Sequence, residues 1–172
     1  MGVQRRVSPA ASRSYADGEI FLYMGKPHEL TSDTFRQGSP KVEAPDGQHL
    51  VVRVSPQDRR QFLIYWYTSE TEKIVRVLVP EWSKKLGVRP CSVTVKLART
   101  RWGSCSSSGR IFFNCRLSML SRDAAQYIVV HELCHLKQMN HGPLFWNEVR
   151  SALPDAASLR RSLRRQERDA RL

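Results

Sequence analysis

Three of the chain's five histidines lie close together in the sequence HELCHLKQMNH, which runs from His131 to His141. An α-helix advances by about 100° per residue, so His131 and His135 lie on one face, one turn apart, and can reach the same metal ion. Glu132 lies about 100° around the helix, where its carboxylate can accept a proton from a water at the metal. The spacing therefore predicts a helix that carries two metal ligands and a general base.

The apolar pattern of this helix indicates that its histidines point inward. Asp123, Gln126 and Lys137 share one narrow stripe, which we expect to face solvent, and the histidines lie almost opposite. Apolar residues occupy most of the remaining surface: Ala124, Ile128, Val129, Leu133 and Leu136. Core histidines can be hydrogen-bonded to backbone, but two imidazoles beside a glutamate are costly to bury unless a metal ion satisfies them. The pattern favours a metal site over a purely structural helix.

A hydrolytic zinc site typically has three protein ligands and one open position, so a third ligand is expected. His141 can serve only if the helix ends before it, because continued helix would rotate it about 80° away from His131. The sequence NHGP at 140–143 predicts such an end, since its asparagine tolerates left-handed backbone and its Gly-Pro pair cannot extend a helix. Glu148, on the next predicted helix, is the alternative ligand. We favour His141.

The remainder of the chain predicts an α+β fold. Apolar alternation and turn signals predict short strands at 19–24, 27–30, 49–54, 92–97 and 110–115. A polar loop is expected at 31–47, and the turn CSSSG is expected to join the last two strands directly.

Helix signals predict the other elements. Ser55 followed by Pro56 begins a long helix that ends at Gly87, with a break expected near Pro80. Ser121 caps the histidine helix. A further helix begins at the proline of NHGP, and a basic helix ends the chain. The sequence therefore predicts a single α+β domain, with a small mixed or antiparallel sheet packed on helices and with helices at its C-terminus.

The chain is strongly basic, because Lys and Arg exceed Asp and Glu by twelve. The excess is concentrated near the two ends, at Arg5, Arg6, Arg13, Arg160, Arg161, Arg164, Arg165, Arg168 and Arg171. Such ends can attract nucleic acid, a nucleotide or another polyanion, although a solvated surface is the simpler interpretation.

Cysteine usage and hydropathy predict a cytoplasmic protein. The four cysteines include no C-x-x-C pair, so free thiols in a reducing compartment are expected rather than disulfides. No apolar run approaches the roughly eighteen residues of a membrane span, and no apolar stretch follows the first arginines, so we expect neither membrane association nor a secretion signal. The sequence indicates no particular oligomeric state.

Three segments in a fixed order resemble the YgjP-like zinc metallopeptidases, which are relatives of the SprT and WLM groups. The segments are RTRWGSCSSSGRIFFN at 99–114, YIVVHELCHLKQMNHGPLFW at 127–146 and LPD at 153–155. Together they are far more specific than the HExxH pattern alone. The resemblance implies a zincin-like fold with one Zn²⁺ ion per chain, with His131, His135 and His141 as ligands and Glu132 as catalytic base.

The resemblance also implies domain limits. The metallopeptidase domain is expected at 18–158, and a basic C-terminal helix or tail at 159–172. A disordered basic arm is expected at 1–17, in the position where the family carries a longer β-rich region.

The resemblance implies that the strand bearing the sequence RWGSC lies close to the cleft. The candidate substrate-binding residues are Arg99, Arg101, Trp102, Gly103, Ser104 and Asn114. Gly103 allows a close backbone approach, and either arginine can hold a developing negative charge or a substrate carboxylate. Trp102 and the arginines can equally have a structural role, packing under the active-site helix. Phe145 and Trp146 are expected in the core.

Three functions are consistent with these features. The first is hydrolysis of a peptide bond, in a peptide or protein, by a zinc-activated water with the glutamate of HExxH as base. The second is hydrolysis of a nucleoside triphosphate to release pyrophosphate, with Arg99, Arg101, Arg110 and Arg116 as a basic cleft edge. The third is a DNA-associated SprT-like protease or binding module that docks its basic tail on phosphates. We favour the first.

Overall fold

Residues 13–33 and 41–172 are described by the computed structural model and form two small mixed sheets and four α-helices. The first sheet contains, in the order β1-β2-β4-β3, the strands β1 (Ile20–Tyr23), β2 (Lys26–Ser32), β3 (Lys41–Glu43) and β4 (His49–Arg53). Strand β2 is parallel to β4, and the other neighbouring pairs are antiparallel. The predicted α+β class is confirmed, with two small sheets where one was expected.

Strand β3 lies in the segment for which the sequence predicted only a polar loop. Its central residue, Val42, is buried and pairs with Val52 of β4. A strand with one inward apolar side chain is too short for alternation to be recognised in the sequence. Residues 34–40 of the same predicted loop lie outside the described residues.

The second sheet contains β5 (Ser92–Lys96), β6 (Gly103–Cys105) and β7 (Arg110–Asn114), in the order β5-β7-β6. Strands β5 and β7 are parallel, so the prediction that CSSSG joins them directly is wrong. The tight turn connects β6 to β7 instead, with the Gly109 amide donating to the Ser106 carbonyl at 2.9 Å. This arrangement leaves β6 at the edge of the sheet.

The longest element is α1 (Arg59–Leu86), which follows a short 3-10 helix at Pro56–Asp58. It ends at Gly87, whose φ of 65° is the left-handed conformation expected of a glycine stop. The expected break near Pro80 does not occur. Pro80 is on the exposed side of the helix, where water can hydrate the backbone carbonyl that the proline leaves without a donor.

Helix α1 connects the first sheet to the remainder of the core through buried polar groups. The Tyr67 hydroxyl donates to the Leu22 carbonyl of β1 at 2.7 Å. The Thr71 hydroxyl donates at 2.6 Å to the carbonyl of Cys115, the first residue of a 3-10 helix at Cys115–Met119. These bonds satisfy polar atoms that would otherwise be costly inside an apolar core.

The other helices are α2 (Arg122–Cys134), α3 (Pro143–Ala152) and α4 (Ala156–Gln166). Ser121 caps α2 as predicted, because its hydroxyl accepts from the Ala124 amide. The Gln166 side chain accepts from the Ser121 amide at 2.7 Å and donates to the Ser121 hydroxyl at 3.1 Å. The end of α4 is therefore attached to the start of α2, and α4 crosses the boundary expected between residues 158 and 159.

Part of the predicted N-terminal arm has a defined structure. Arg13 donates to the Ile20 carbonyl at 2.7 Å and forms a salt bridge with Glu19 at 3.1 Å. Residues 1–12 of the predicted arm lie outside the described residues. No helix in the described part of the chain combines the length and apolar character needed to cross a membrane.

Candidate metal centre

The three predicted histidine ligands converge at the end of α2. Their ligand atoms all lie within 4.8 Å of one another. The Nε2 atoms of His131 and His141 are 3.0 Å apart, and the ring centroids of His135 and His141 are 4.6 Å apart. Residues ten positions apart in sequence thus face one point in space.

The route that returns His141 to the other histidines differs from the predicted one. Helix α2 ends at Cys134. The carbonyl of Cys134 accepts from the amides of Lys137 and Gln138, both at 3.0 Å, in a tight turn. Asn140 does not adopt a positive φ, so the left-handed residue expected there is not used. The chain reverses over residues 135–142, and α3 begins at Pro143 as predicted.

Aromatic side chains of α3 support the imidazoles from behind. Phe145 is fully buried, and its ring stacks on His135 with centroids 4.5 Å apart. The same ring lies 4.9 Å from His131 and 4.7 Å from His141. Phe145 is a core residue as predicted, whereas Trp146 is only half-buried and lines the cleft.

The surroundings of His131 and His135 suit metal binding. Burial lowers the pKa of His131 to about 3, and the nearby His135, His141 and Arg160 add to the effect. Burial also lowers the pKa of His135, whose Nδ1 donates to the Gln138 carbonyl at 3.1 Å and leaves Nε2 with a free lone pair. Neutral imidazoles are the form that coordinates metal ions.

The arrangement also fits a cation on electrostatic grounds. The Nδ1 atom of His131 is buried and makes no hydrogen bond within the described residues, so this imidazole has its polar neighbours on the Nε2 side. The Nε2 atoms of His131 and His141 are 3.0 Å apart, a separation that brings two imidazole nitrogens together at one point where a proton or a metal ion can lie between them. Three converging imidazoles are a common ligand set for zinc.

Glu132 lies beside the histidines with its carboxyl open to the cleft. It is buried, and burial raises the pKa of its carboxyl to about 7. The backbone of Gly103 in β6 packs against it so closely that a Cβ at that position would lie 2.8 Å from Glu132 Cγ and 2.9 Å from Oε1. The close approach predicted for Gly103 is therefore an approach to the candidate base.

A cleft of about 560 Å³ opens in front of these residues. It is lined by Arg101, Trp102, Gly103, Tyr127, Ile128, His131, Glu132, His141, Trp146, Arg160, Leu163, Arg164 and Glu167. Three of the six predicted substrate-binding residues, Arg101, Trp102 and Gly103, are among them. The cleft lies between α2, the start of β6 with the loop before it, Trp146 of α3 and one face of α4.

The other three predicted substrate-binding residues, Arg99, Ser104 and Asn114, do not line the cleft. Asn114 is fully buried, and its side-chain amide donates at 2.7 Å to the carbonyls of Ala98 and Arg101. It shapes the loop that precedes β6. Arg99 lies in the same loop, and its carbonyl accepts from the Arg116 side chain at 3.2 Å.

The alternative ligand and the predicted basic edge lie elsewhere. Glu148 accepts a hydrogen bond from Lys137 at 2.9 Å and is not part of the histidine group. Arg110 bonds to Ser108 in the β6–β7 turn, and Arg116 lies over the Trp102 ring at 4.9 Å. Of the four arginines expected at a nucleotide site, only Arg101 lines the cleft.

Sequence reasoning missed the residues that α4 brings to the cleft, which are Arg160, Leu163, Arg164 and the adjacent Glu167. Glu167 accepts from the Trp102 indole at 2.8 Å. The sequence contains no signal for this contact, because it joins residues 65 positions apart. Tyr127 was also missed, although its position one turn before His131 places it on the same helix face.

Comparisons with known proteins found a matching family and similar solved structures. The chain matches the YgjP-like metallopeptidase domain over residues 2–166. The metallopeptidase zymogen abylysin of Pyrococcus abyssi is 25% identical, with a TM-score of 0.49, over 55% of this chain and 97% of that chain. The metallopeptidase zymogen jannalysin of Methanocaldococcus jannaschii is 21% identical, with a TM-score of 0.48, over 54% of this chain and 96% of that chain. Comparison with curated proteins found no match. Since the family match spans almost all of the 172 residues, the chain belongs to the YgjP-like metallopeptidase family.

Proposed function

We propose that this metallopeptidase is a zinc enzyme in which His131, His135 and His141 hold one zinc ion and Glu132 is the general base. The convergence of three imidazoles within 4.8 Å, beside a carboxyl that opens on the same cleft, carries the proposal. Three converging imidazoles are a common ligand set for hydrolytic zinc. When bound, zinc would act as a Lewis acid that polarises a carbonyl and lowers the pKa of a water nucleophile.

The role of Glu132 is proton transfer. Its carboxylate oxygen accepts the proton of the attacking water and then donates it to the amine nitrogen of the leaving peptide. The contact with Gly103 restricts where the carboxyl can lie, which supports a fixed position for this transfer. Hydrolysis in this scheme requires no covalent intermediate.

Strand β6 is suited to holding an extended peptide beside Glu132. It is one of the two edge strands of its sheet, and β7 is its only strand neighbour within the described residues. Its first residue, Gly103, lines the cleft. An extended peptide can pair with the backbone of an edge strand. The position of β6 beside the cleft therefore supports a peptide as the substrate.

Glu132→Gln tests the proposal, with Glu148→Gln as a matched control. We expect Glu132→Gln to retain zinc, measured by elemental analysis, and to lose about a hundredfold to ten-thousandfold in kcat against a panel of fluorogenic peptides. Glu148→Gln is expected to keep both zinc and activity, because Glu148 pairs with Lys137 outside the cleft. Full peptide cleavage by Glu132→Gln would overturn the proposal.

A further inference from the structure

Helix α4 presents two arginines to the catalytic cleft. Arg160 and Arg164 are one turn apart and both line it, together with Leu163 from the same helix face. The neighbouring Arg161 and Arg165 do not line the cleft. Four basic residues of one short helix are thus divided into an inward pair and an outward pair.

The inward pair gives the cleft an unneutralised positive charge. Within the described residues, Arg101, Arg160 and Arg164 form no salt bridge. Two carboxyl groups line the same cleft, those of Glu132 and Glu167, and Glu167 already accepts from the Trp102 indole. Three guanidinium groups therefore face two carboxyls, and a bound divalent metal would add further positive charge.

Arg160 is close to the histidine group. Its guanidinium lies over the Trp146 ring at 5.3 Å, and the Trp146 centroid is 5.7 Å from that of His141. An extended peptide advances about 3.5 Å per residue, so Arg160 can reach a substrate residue within a few positions of the scissile bond.

We propose that Arg160 and Arg164 bind a carboxylate of the peptide substrate, so that the enzyme prefers peptides with an acidic residue or a free C-terminus near the cleaved bond. This inference rests on the proposed peptidase function. A guanidinium binds a carboxylate through two parallel hydrogen bonds and is a better match for it than for a neutral amide. Ile128 and Leu163 provide apolar surface in the same cleft for the stem of a glutamate.

The test uses the zinc-loaded, full-length protein and a matched set of short alanine-based peptides. The peptides carry glutamate, glutamine or lysine at each position around one cleavable bond, and each is made with a free or an amidated C-terminus. The ratio of kcat/KM for glutamate over glutamine peptides is expected to be about tenfold. We expect R160Q/R164Q to reduce this ratio to near one. R161Q/R165Q removes the same charge from the same helix and should leave the ratio unchanged.

A binding measurement separates this inference from the proposed function. Fluorescence anisotropy of labelled peptides on Glu132→Gln should show about tenfold weaker binding of glutamine than of glutamate peptides, and the difference should disappear when R160Q/R164Q is added. Arginine-dependent binding without hydrolysis by the parent enzyme would contradict the peptidase function and retain the carboxylate site. Hydrolysis with an equal preference for glutamate and glutamine would overturn the carboxylate site alone.

The two carboxylate sources and a phosphate ligand give different results in the same assays. A preference that follows the side chain identifies an acidic residue as the ligand, and one that is lost on amidation identifies the C-terminus. Either result supports the proposal. If nucleoside triphosphates bind through Arg160 and Arg164 more tightly than every acidic peptide, the carboxylate assignment is overturned in favour of phosphate.

Discussion

Helices α2 and α4 line the same cleft, but the functional side chains of α2 are more buried than those of α4. Glu132 of α2 and His135, the residue that follows this helix, are buried, whereas Arg160 and Arg164 of α4 are exposed. Packing holds a buried group in one geometry, which a reaction requires, while an exposed arginine can adjust to several ligands. The difference suggests that α2 determines whether a bond is hydrolysed and α4 determines which substrate is selected.

The largest effect is expected from removing a metal ligand on α2. His131→Ala should weaken zinc binding by at least about a thousandfold, because it deletes one of three converging imidazoles, and peptide hydrolysis should be lost with the metal. Zinc titration against a competing chelator measures the affinity. His49→Ala is the control, since His49 pairs with Asp46 outside the cleft. Unchanged zinc affinity in His131→Ala would remove this residue from the ligand set.

A large effect on the reaction, without loss of metal, is expected from Gly103→Ala. The added Cβ would lie 2.8 Å from Glu132 Cγ, so the carboxyl must move away from its position. We expect kcat to fall by about a hundredfold. Zinc content should not change.

Gly142→Ala is the control for Gly103→Ala. A Cβ at Gly142 meets nothing within 4 Å, and the φ of Gly142 is −79°. Its kcat should remain within about twofold of the parent. A Gly103→Ala enzyme with the parent kcat would show that the position of Glu132 is not critical.

An intermediate effect is expected from Phe145→Leu, which shortens the side chain that supports all three imidazoles. The residue is fully buried, so we expect the free energy of unfolding to fall by about 1–2 kcal/mol. Zinc affinity should fall by about tenfold, because the histidines become less well oriented. Chemical denaturation of the metal-free protein and zinc titration measure the two effects separately. A loss of stability with unchanged zinc affinity would limit Phe145 to a packing role.

The smallest effect is expected where α4 is attached to α2. Gln166→Ala removes the two hydrogen bonds between this side chain and Ser121, and should lower the free energy of unfolding by about 1 kcal/mol. The preference for acidic peptides should weaken, because α4 is held less firmly. Arg165→Ala is the surface control, with an expected change within about 0.5 kcal/mol. An unaltered preference in Gln166→Ala would show that α4 is positioned by other contacts.

The parts of the site that could be predicted from sequence are those governed by local geometry. The spacing of His131 and His135 and the cap at Ser121 depend on the helical repeat and on nearby backbone groups, so both were recognisable. Gly103 was also recognisable as a point of close approach, although its partner was not. The strand β3 and the order of the second sheet were missed, because a three-residue strand and a parallel crossover leave no periodic pattern.

The features of the site that could not be predicted from sequence depend on how distant parts of the chain pack together. The tail that contains Arg160 and Arg164 was correctly predicted to be a basic helix, but charge alone could not show that one face of it closes the cleft. The contacts that decide this, between Gln166 and Ser121 and between Glu167 and Trp102, join residues far apart in sequence. The sequence therefore predicted the groups that we propose carry out the reaction, and it did not predict the groups that we propose select the substrate.

Anomalous X-ray scattering at the zinc absorption edge, from crystals of the zinc-loaded protein, shows whether the three histidines hold a zinc ion. We expect one strong peak per chain, within coordination distance of His131, His135 and His141 and beside the carboxyl of Glu132. A peak coordinated by Glu148 in place of His141, or one located outside this histidine group, would contradict it.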